Sequence, residues 1–225
     1  MLADLLDIPE LVPVFPLPQV VLFPGSAIPL HIFEPRYRAM TADALLGERL
    51  IALALLKPGY EPLYHTLNAP IHATAGLGRI VDSASCDDGT YNIVLRGEAR
   101  VRIVDELVGR PYRFARVEVM CSSRPPAGEV SKALRDGLCA EALRCLGDSE
   151  ESQRRWKRLA DGTADLDHLA DLVSACLPVP AETRQSLLAE CDVQRRTERL
   201  LDTLRSLSTS HCSRRSQFLG RPQQN

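Results

Sequence analysis

The chain has 225 residues, 45% of them hydrophobic and 25% charged, with a formal net charge of −2 at pH 7. That is enough chain for a sizeable core, and the near-neutral balance gives no global attraction to nucleic acid or to an anionic membrane. No apolar run approaches the roughly 20 residues that span a bilayer, and the seven cysteines are odd in number and form no CxxC pair, a usage that excludes paired zinc ligands and points to a reducing, cytoplasmic setting without disulfides.

The first ten residues, MLADLLDIPE, lack a basic stretch and carry Asp4, Asp7 and Glu10, so they do not read as a signal peptide. From Val12 onward short apolar runs alternate with Pro13, Pro16, Pro18, Pro24 and Pro29. Proline fixes φ and removes a backbone donor, so this stretch predicts short strands at edges or bends. A mixed patch, His31-Ile32-Phe33-Glu34-Pro35-Arg36-Tyr37, closes it. Pro35 suits a first helical turn, and Tyr37, Met40 and Ala44 recur at helical spacing up to Leu46, where Gly47 stops the helix. Leu50–Leu56 is a continuous apolar run that reads as a buried strand, although its period alone does not separate it from a helix. Residues 60–70 read as a loop. Ala73–Ser83 reads as a strand in which Gly76 and Gly78 mark a bulge or a close backbone approach. Asp87-Asp88-Gly89 is a hairpin turn signal, followed by predicted strands over Tyr91–Leu95, Arg100–Val108 and Tyr112–Met120. Such a series suggests a small, partly closed antiparallel barrel.

The period then changes. Pro125-Pro126-Ala127-Gly128 marks the boundary, and four or five helices are expected beyond it. One stripe runs through Val130, Leu134, Leu138, Ala142 and Cys145, and another through Leu166, Leu169, Leu172, Val173, Cys176 and Leu177, with Asp165 as its cap. Pro178 and Pro180 break the chain. Asp192 caps a last amphipathic helix bearing Val193, Thr197, Leu200, Leu201, Leu204 and Leu207. Serine, threonine, arginine and glutamine dominate afterwards, which predicts disorder. The expected division is a β-rich part over 1–122, a helical part over 123–207 and a disordered tail over 208–225.

The proline-punctuated opening, AGLGRI (Ala75–Ile80), the hairpin Asp87–Ile103 and PYRFARVEV (Pro111–Val119) resemble successive strands of the substrate-binding domain at the N-terminus of Lon proteases. Ala170–Leu204 resembles its helical ending, with Gln185–Leu188, then Asp192 and Val193 at a helix start and Arg196 inside. The resemblance covers most of 11–207 and rests on order and spacing rather than on one motif. It implies an α+β fold: an N-terminal β-rich pseudobarrel (PUA-like) subdomain followed by a C-terminal α-helical bundle. It also implies a non-catalytic module that binds unfolded or degron-bearing polypeptides, with no cofactor and no metal. No Gly-Lys pair occurs to serve a GxxxxGK[ST] phosphate loop, and the expectation is a stand-alone relative without the ATPase or the serine–lysine protease. Two alternatives come from other classes. One is an assembly or adaptor protein for a protease or a homo-oligomer, self-associating through the last helix. The other is an ATP-independent peptidase.

Within this frame His31, Phe33, Glu34, Arg36 and Tyr37 are the candidate peptide-binding residues. The competing reading makes Glu34 and Arg36 a local pair and puts Phe33 and Tyr37 in the seam between barrel and helix. The histidines at 31, 65, 72, 168 and 211 sit in no GxSxG or HExxH context. Gly76-Leu77-Gly78 lacks the third glycine of a dinucleotide loop. The basic run Gln153–Arg158 around Trp156 is flanked by Asp148, Glu150, Glu151 and Asp161, which favours a solvated helix face over a nucleic-acid contact.

Overall fold

The computed structural model describes residues 8–125, 128–145 and 150–219, with side chains in the last helix as far as Ser208. The proline-rich opening yields β1 (Leu11–Leu17) and β2 (Ala27–Ile32), and Pro35 opens α1 (Pro35–Leu46). Then come β3 (Leu50–Leu55), β4 (Thr74–Ser85), β5 (Tyr91–Leu107) and β6 (Arg113–Val119). Five helices follow: α2 (Glu129–Cys145), α3 (Glu150–Gly162), α4 (Leu166–Cys176), α5 (Ala181–Ala189) and α6 (Val193–Leu219). This is the α+β arrangement that the period switch predicted. Among the described residues no helix is long and apolar enough to cross a membrane.

The strands are ordered β2-β5-β4-β3-β1-β6, and β6 also pairs with β5, so β5, β4, β3, β1 and β6 close a ring. β5 does this by its length. Its first half lies between β2 and β4, and its second half pairs with β6. Two expectations need correction. The strands predicted over Tyr91–Leu95 and Arg100–Val108 are one strand, because Gly97 lies within β5 opposite Gly78 instead of in a turn. The barrel is also not wholly antiparallel: β1 and β3 pair in parallel, Val14 opposite Ala52. The intervening chain through β2 and α1 returns β3 in the direction of β1, which a tight hairpin cannot do.

Alternation sorts the side chains into two cores. All five ring strands contribute to one cluster, including Val12, Val14, Ala52, Ala54, Ala75, Leu77, Ala99, Val101, Ala115 and Val117. A five-stranded ring leaves little interior volume, and alanine fills it. Outside lies a bulkier cluster of Phe15, Leu22, Ile51, Leu53, Ile80, Ile93 and Leu95, covered by Tyr37, Met40 and Ala44 of α1. β3 is buried along its whole length because it serves both cores.

The chain divides into two compact units. The first runs to Cys121 and takes in Ser174–Cys191; the second is Ser122–Val173 with the chain from Asp192 onward. The sequence reading placed all of 123–207 in the helical part. In the structure α5 belongs with the sheet, because Gln185 Nε2 donates to the Thr74 carbonyl at 2.8 Å and the buried Arg100 Nε donates to the Leu188 carbonyl at 3.0 Å.

Within the second unit, Asp165 and Asp192 begin their helices as predicted: Asp165 Oδ1 accepts from the Asp167 N–H and Asp192 Oδ1 from the Arg195 N–H, both at 3.0 Å. Arg154 pairs with Glu150 one turn away, as a solvated face requires. Along the apolar stripe of α6, Val193, Leu200 and Leu204 are buried, and Cys145 of α2 reaches the Leu204 carbonyl. The helix runs to Leu219, into part of the stretch predicted to be disordered, and Cys145 Sγ of α2 lies 3.4 Å from Ser208 Oγ. The remainder of the predicted tail, 220–225, lies outside the described residues.

Candidate functional site

The patch His31–Tyr37 spans the end of β2 and the start of α1, and this junction sends its side chains in different directions. Tyr37 is one turn into the helix and points inward. It is 4% exposed and its ring centroid lies 4.4 Å from that of Phe15. Its hydroxyl is buried without a hydrogen-bond partner among the described residues, and burial raises its pKa above the ordinary tyrosine value. Phe33 precedes the helix and is 63% exposed. The exposed His31 stands beside it, with ring centroids 6.1 Å apart, and its Nδ1 lies 2.8 Å from Asn92 Oδ1. Asn92 Nδ2 in turn donates to Cys86 Sγ at 3.4 Å, so an amide separates the imidazole from the thiol.

Glu34 and Arg36 work on the structure behind this surface. Glu34 sits at the N-cap of α1 without capping it through its side chain. Its carboxylate accepts instead from Arg36 Nε at 3.0 Å. The same guanidinium donates to the Thr66 carbonyl at 3.1 Å and the Tyr64 carbonyl at 3.0 Å, and lies 4.4 Å from the Tyr37 ring centroid. Burial and the nearby Glu34 carboxylate raise the Tyr64 pKa. Of the five candidates, His31 and Phe33 therefore present surface, Glu34 and Arg36 anchor the 60–68 loop, and Tyr37 fills the core.

The buried Tyr37 hydroxyl supports a direct test. Tyr37→Phe removes a polar group that is buried without a partner and keeps the ring packing, so stability should rise by about 1 kcal/mol. A phenol with a raised native pKa favours folding below the unfolded-state value of roughly 10, and that contribution is lost as pH rises above it. The variant should therefore lose less stability than the parent above about pH 10 in urea melts. A loss of stability at neutral pH would mean that the hydroxyl is satisfied.

A second feature was missed by the sequence reading because three distant segments build it. At the adjacent ends of β1 and β3, a groove of about 450 Å³ is lined by Pro18, Gln19, Leu56, Tyr60, Pro180 and Arg184 among others. Gln19 has φ 61°, a left-handed conformation uncommon for a side-chain-bearing residue. Its carbonyl accepts from Arg184 Nη2 of α5 at 2.8 Å. Glu61 and Glu182 also line the groove, and Glu182 meets His72 Nε2 at 3.1 Å. The available sequence signal was the loop Gly59-Tyr60-Glu61-Pro62-Leu63-Tyr64, which is rich in aromatics for a connection.

Residues 11–206 match the model of the ATP-dependent protease La (LON) substrate-binding domain. Lon protease 2 of Myxococcus xanthus is 27% identical over 198 residues, which cover 88% of this chain and 24% of that protein. The chain thus spans about a quarter of the length of that curated relative. Among solved structures, the N-terminal domain of Mycobacterium avium complex Lon protease superposes with a TM-score of 0.68 at 20% identity, covering 87% of this chain and 98% of the other. A Lon N-terminal domain protein from Xanthomonas campestris superposes with a TM-score of 0.61 at 25% identity, covering 85% and 97%. The chain belongs to the LON substrate-binding domain family.

Proposed function

We propose that this protein is a non-catalytic polypeptide-binding module that recognises unfolded or degron-bearing chains, in a cytoplasmic setting. The observation that carries the reading is Phe33, a large aromatic 63% exposed at the end of β2. Buried aromatics anchor most recognition surfaces, and an exposed one is a ready anchor for an apolar side chain of a partner. Among the described residues β2 is paired with β5 alone, so its other edge has no strand that an extended chain would have to displace. Pro29 sits in the middle of that edge strand. It removes one donor and so limits indiscriminate strand addition, while leaving side-chain recognition in place.

Family membership supports a substrate-binding role, and the exposure of His31 and Phe33 supports this surface as its site. The test is binding of a fluorescent, permanently unfolded casein-like chain to the purified protein. Saturable binding at or below tens of micromolar is expected, roughly the range of a weak recognition contact. Phe33→Asp should weaken it at least about fivefold, and because the side chain is exposed the melting temperature should stay unchanged. Absence of saturable binding would refute the reading.

A further inference from the structure

We propose that the groove between the ends of β1 and β3 and the start of α5 is a sequence-selective peptide site. It would take an extended segment in which an apolar side chain lies next to lysine or arginine. This rests on the polypeptide-binding reading and adds to it a location and a class of sequence. The groove lies wholly within the first unit, and its volume of about 450 Å³ is in the range of sites that hold one or two side chains.

Its chemistry selects the occupant. Leu55 and Leu56, both buried, form an apolar floor, and Pro18, Pro58 and Pro180 contribute walls without N–H groups. Proline walls cannot pair with a peptide backbone as a strand edge does, so recognition here falls to side chains. Two carboxylates, Glu61 and Glu182, belong to the lining. The one guanidinium, Arg184, donates through Nη2 to the Gln19 carbonyl and keeps its charge in the wall, its Nε buried without a hydrogen-bond partner among the described residues, and Glu182 is shared with His72, so Glu61 is the carboxylate left to select a cation. Gln19, which accepts the Arg184 bond, is in the left-handed conformation, a cost that folded proteins retain mainly where a site needs a set shape. Tyr60 and Glu61, neighbours in the chain, both line the groove, so its wall offers a cation an aromatic residue as well as a carboxylate. An acidic peptide would meet like charge at the same positions.

Glu61 lies on an exposed 3-10 turn, and its replacement leaves the core untouched. The experiment uses the full chain and three fluorescent probes: a twelve-residue peptide alternating leucine and arginine with serine spacers, the same peptide with glutamate for arginine, and the unfolded casein-like chain. The basic peptide should bind at least about tenfold more tightly than the acidic one, and the difference should shrink with added salt. Glu61→Lys should weaken the basic peptide at least about fivefold and strengthen the acidic one. Glu182→Lys, on another segment of the wall, should act in the same direction, and melting curves establish that both variants fold. Equal binding of the two peptides, or an unchanged basic-peptide affinity in both folded variants, would overturn the groove assignment. If the casein-like chain still binds in that case, the recognition reading survives and only the groove is wrong. If no probe binds, both fall.

Discussion

Gly76→Ala and Gly97→Ala should each cost about 3–5 kcal/mol of stability, placing them among the most damaging single substitutions in the first unit. The reason is a backbone crossing. The segment after β1 lays Leu22 and Phe23, both fully buried, across β4 and β5. A Cβ at Gly76 would overlap the Leu22 carbonyl oxygen and lie 2.8 Å from its carbonyl carbon and 2.9 Å from its Cβ. At Gly97 it would overlap the Phe23 carbonyl oxygen and lie 2.8 Å from that carbonyl carbon. Backbone carbonyls cannot swing aside as a side chain does. The crossing segment is further tied down where the Gly97 N–H donates to the Ser26 carbonyl at 2.8 Å and the Gly25 N–H to the Gly97 carbonyl at 2.9 Å. Relief would thus require Leu22 or Phe23 to leave the core, exposing apolar area worth roughly 2 kcal/mol per side chain beyond the steric cost. Gly162→Ala is the matched control: nothing lies within 4 Å of its added Cβ, so it should change stability by less than about 1 kcal/mol. Urea midpoints with an unchanged m-value measure all three. A loss below about 1 kcal/mol at both Gly76 and Gly97 would show that this crossing is not tight.

These glycines also show what the sequence could and could not convey. Gly76 and Gly78 sit in a run that alternates like a strand, so a close approach was readable there, and the register shift between Leu77 and Gly78 accompanies it. Gly97 was not readable in the same way. Between Arg96 and Glu98 it has the look of a turn, and only its pairing with Gly78 makes it part of β5. β3 was legible because a strand buried on both faces loses its alternation. Its parallel pairing with β1 was not legible, since direction depends on the path of the chain between them. The same distinction applies to the candidate site. The cluster His31–Tyr37 stood out by composition, but which side chains face outward is fixed by where β2 stops and α1 begins. Tyr37 falls on the buried face of the helix while Phe33 stays before it. The groove stayed hidden because Gln19, Tyr60 and Arg184 come from distant parts of the chain and meet only through the docking of α5.

In the second unit the largest effect is expected at Arg196: Arg196→Leu should cost about 3–5 kcal/mol. Its side chain is 0% exposed and reaches two carboxylates of α4: Asp171, itself 2% exposed and 3.4 Å away, and Asp167, 14% exposed. The two aspartates are four residues apart, so they share one face of α4 and converge on one guanidinium of α6. Removing the arginine would leave the Asp171 carboxylate buried without its counter-charge, and the cost comes from that stranded charge more than from the lost attraction. The argument therefore predicts a specific non-additivity. Asp171→Leu alone should also be severe, because it removes half of the compensation for a buried cation. The double variant Arg196→Leu/Asp171→Leu should be more stable than either single variant, since an apolar pair of similar volume replaces the ions while Asp167 keeps partial access to water. Denaturant melts of the parent and the three variants close the cycle. If the double variant is as unstable as the sum of the singles, the two side chains act independently, and the buried pair is not what fixes α6 against α4.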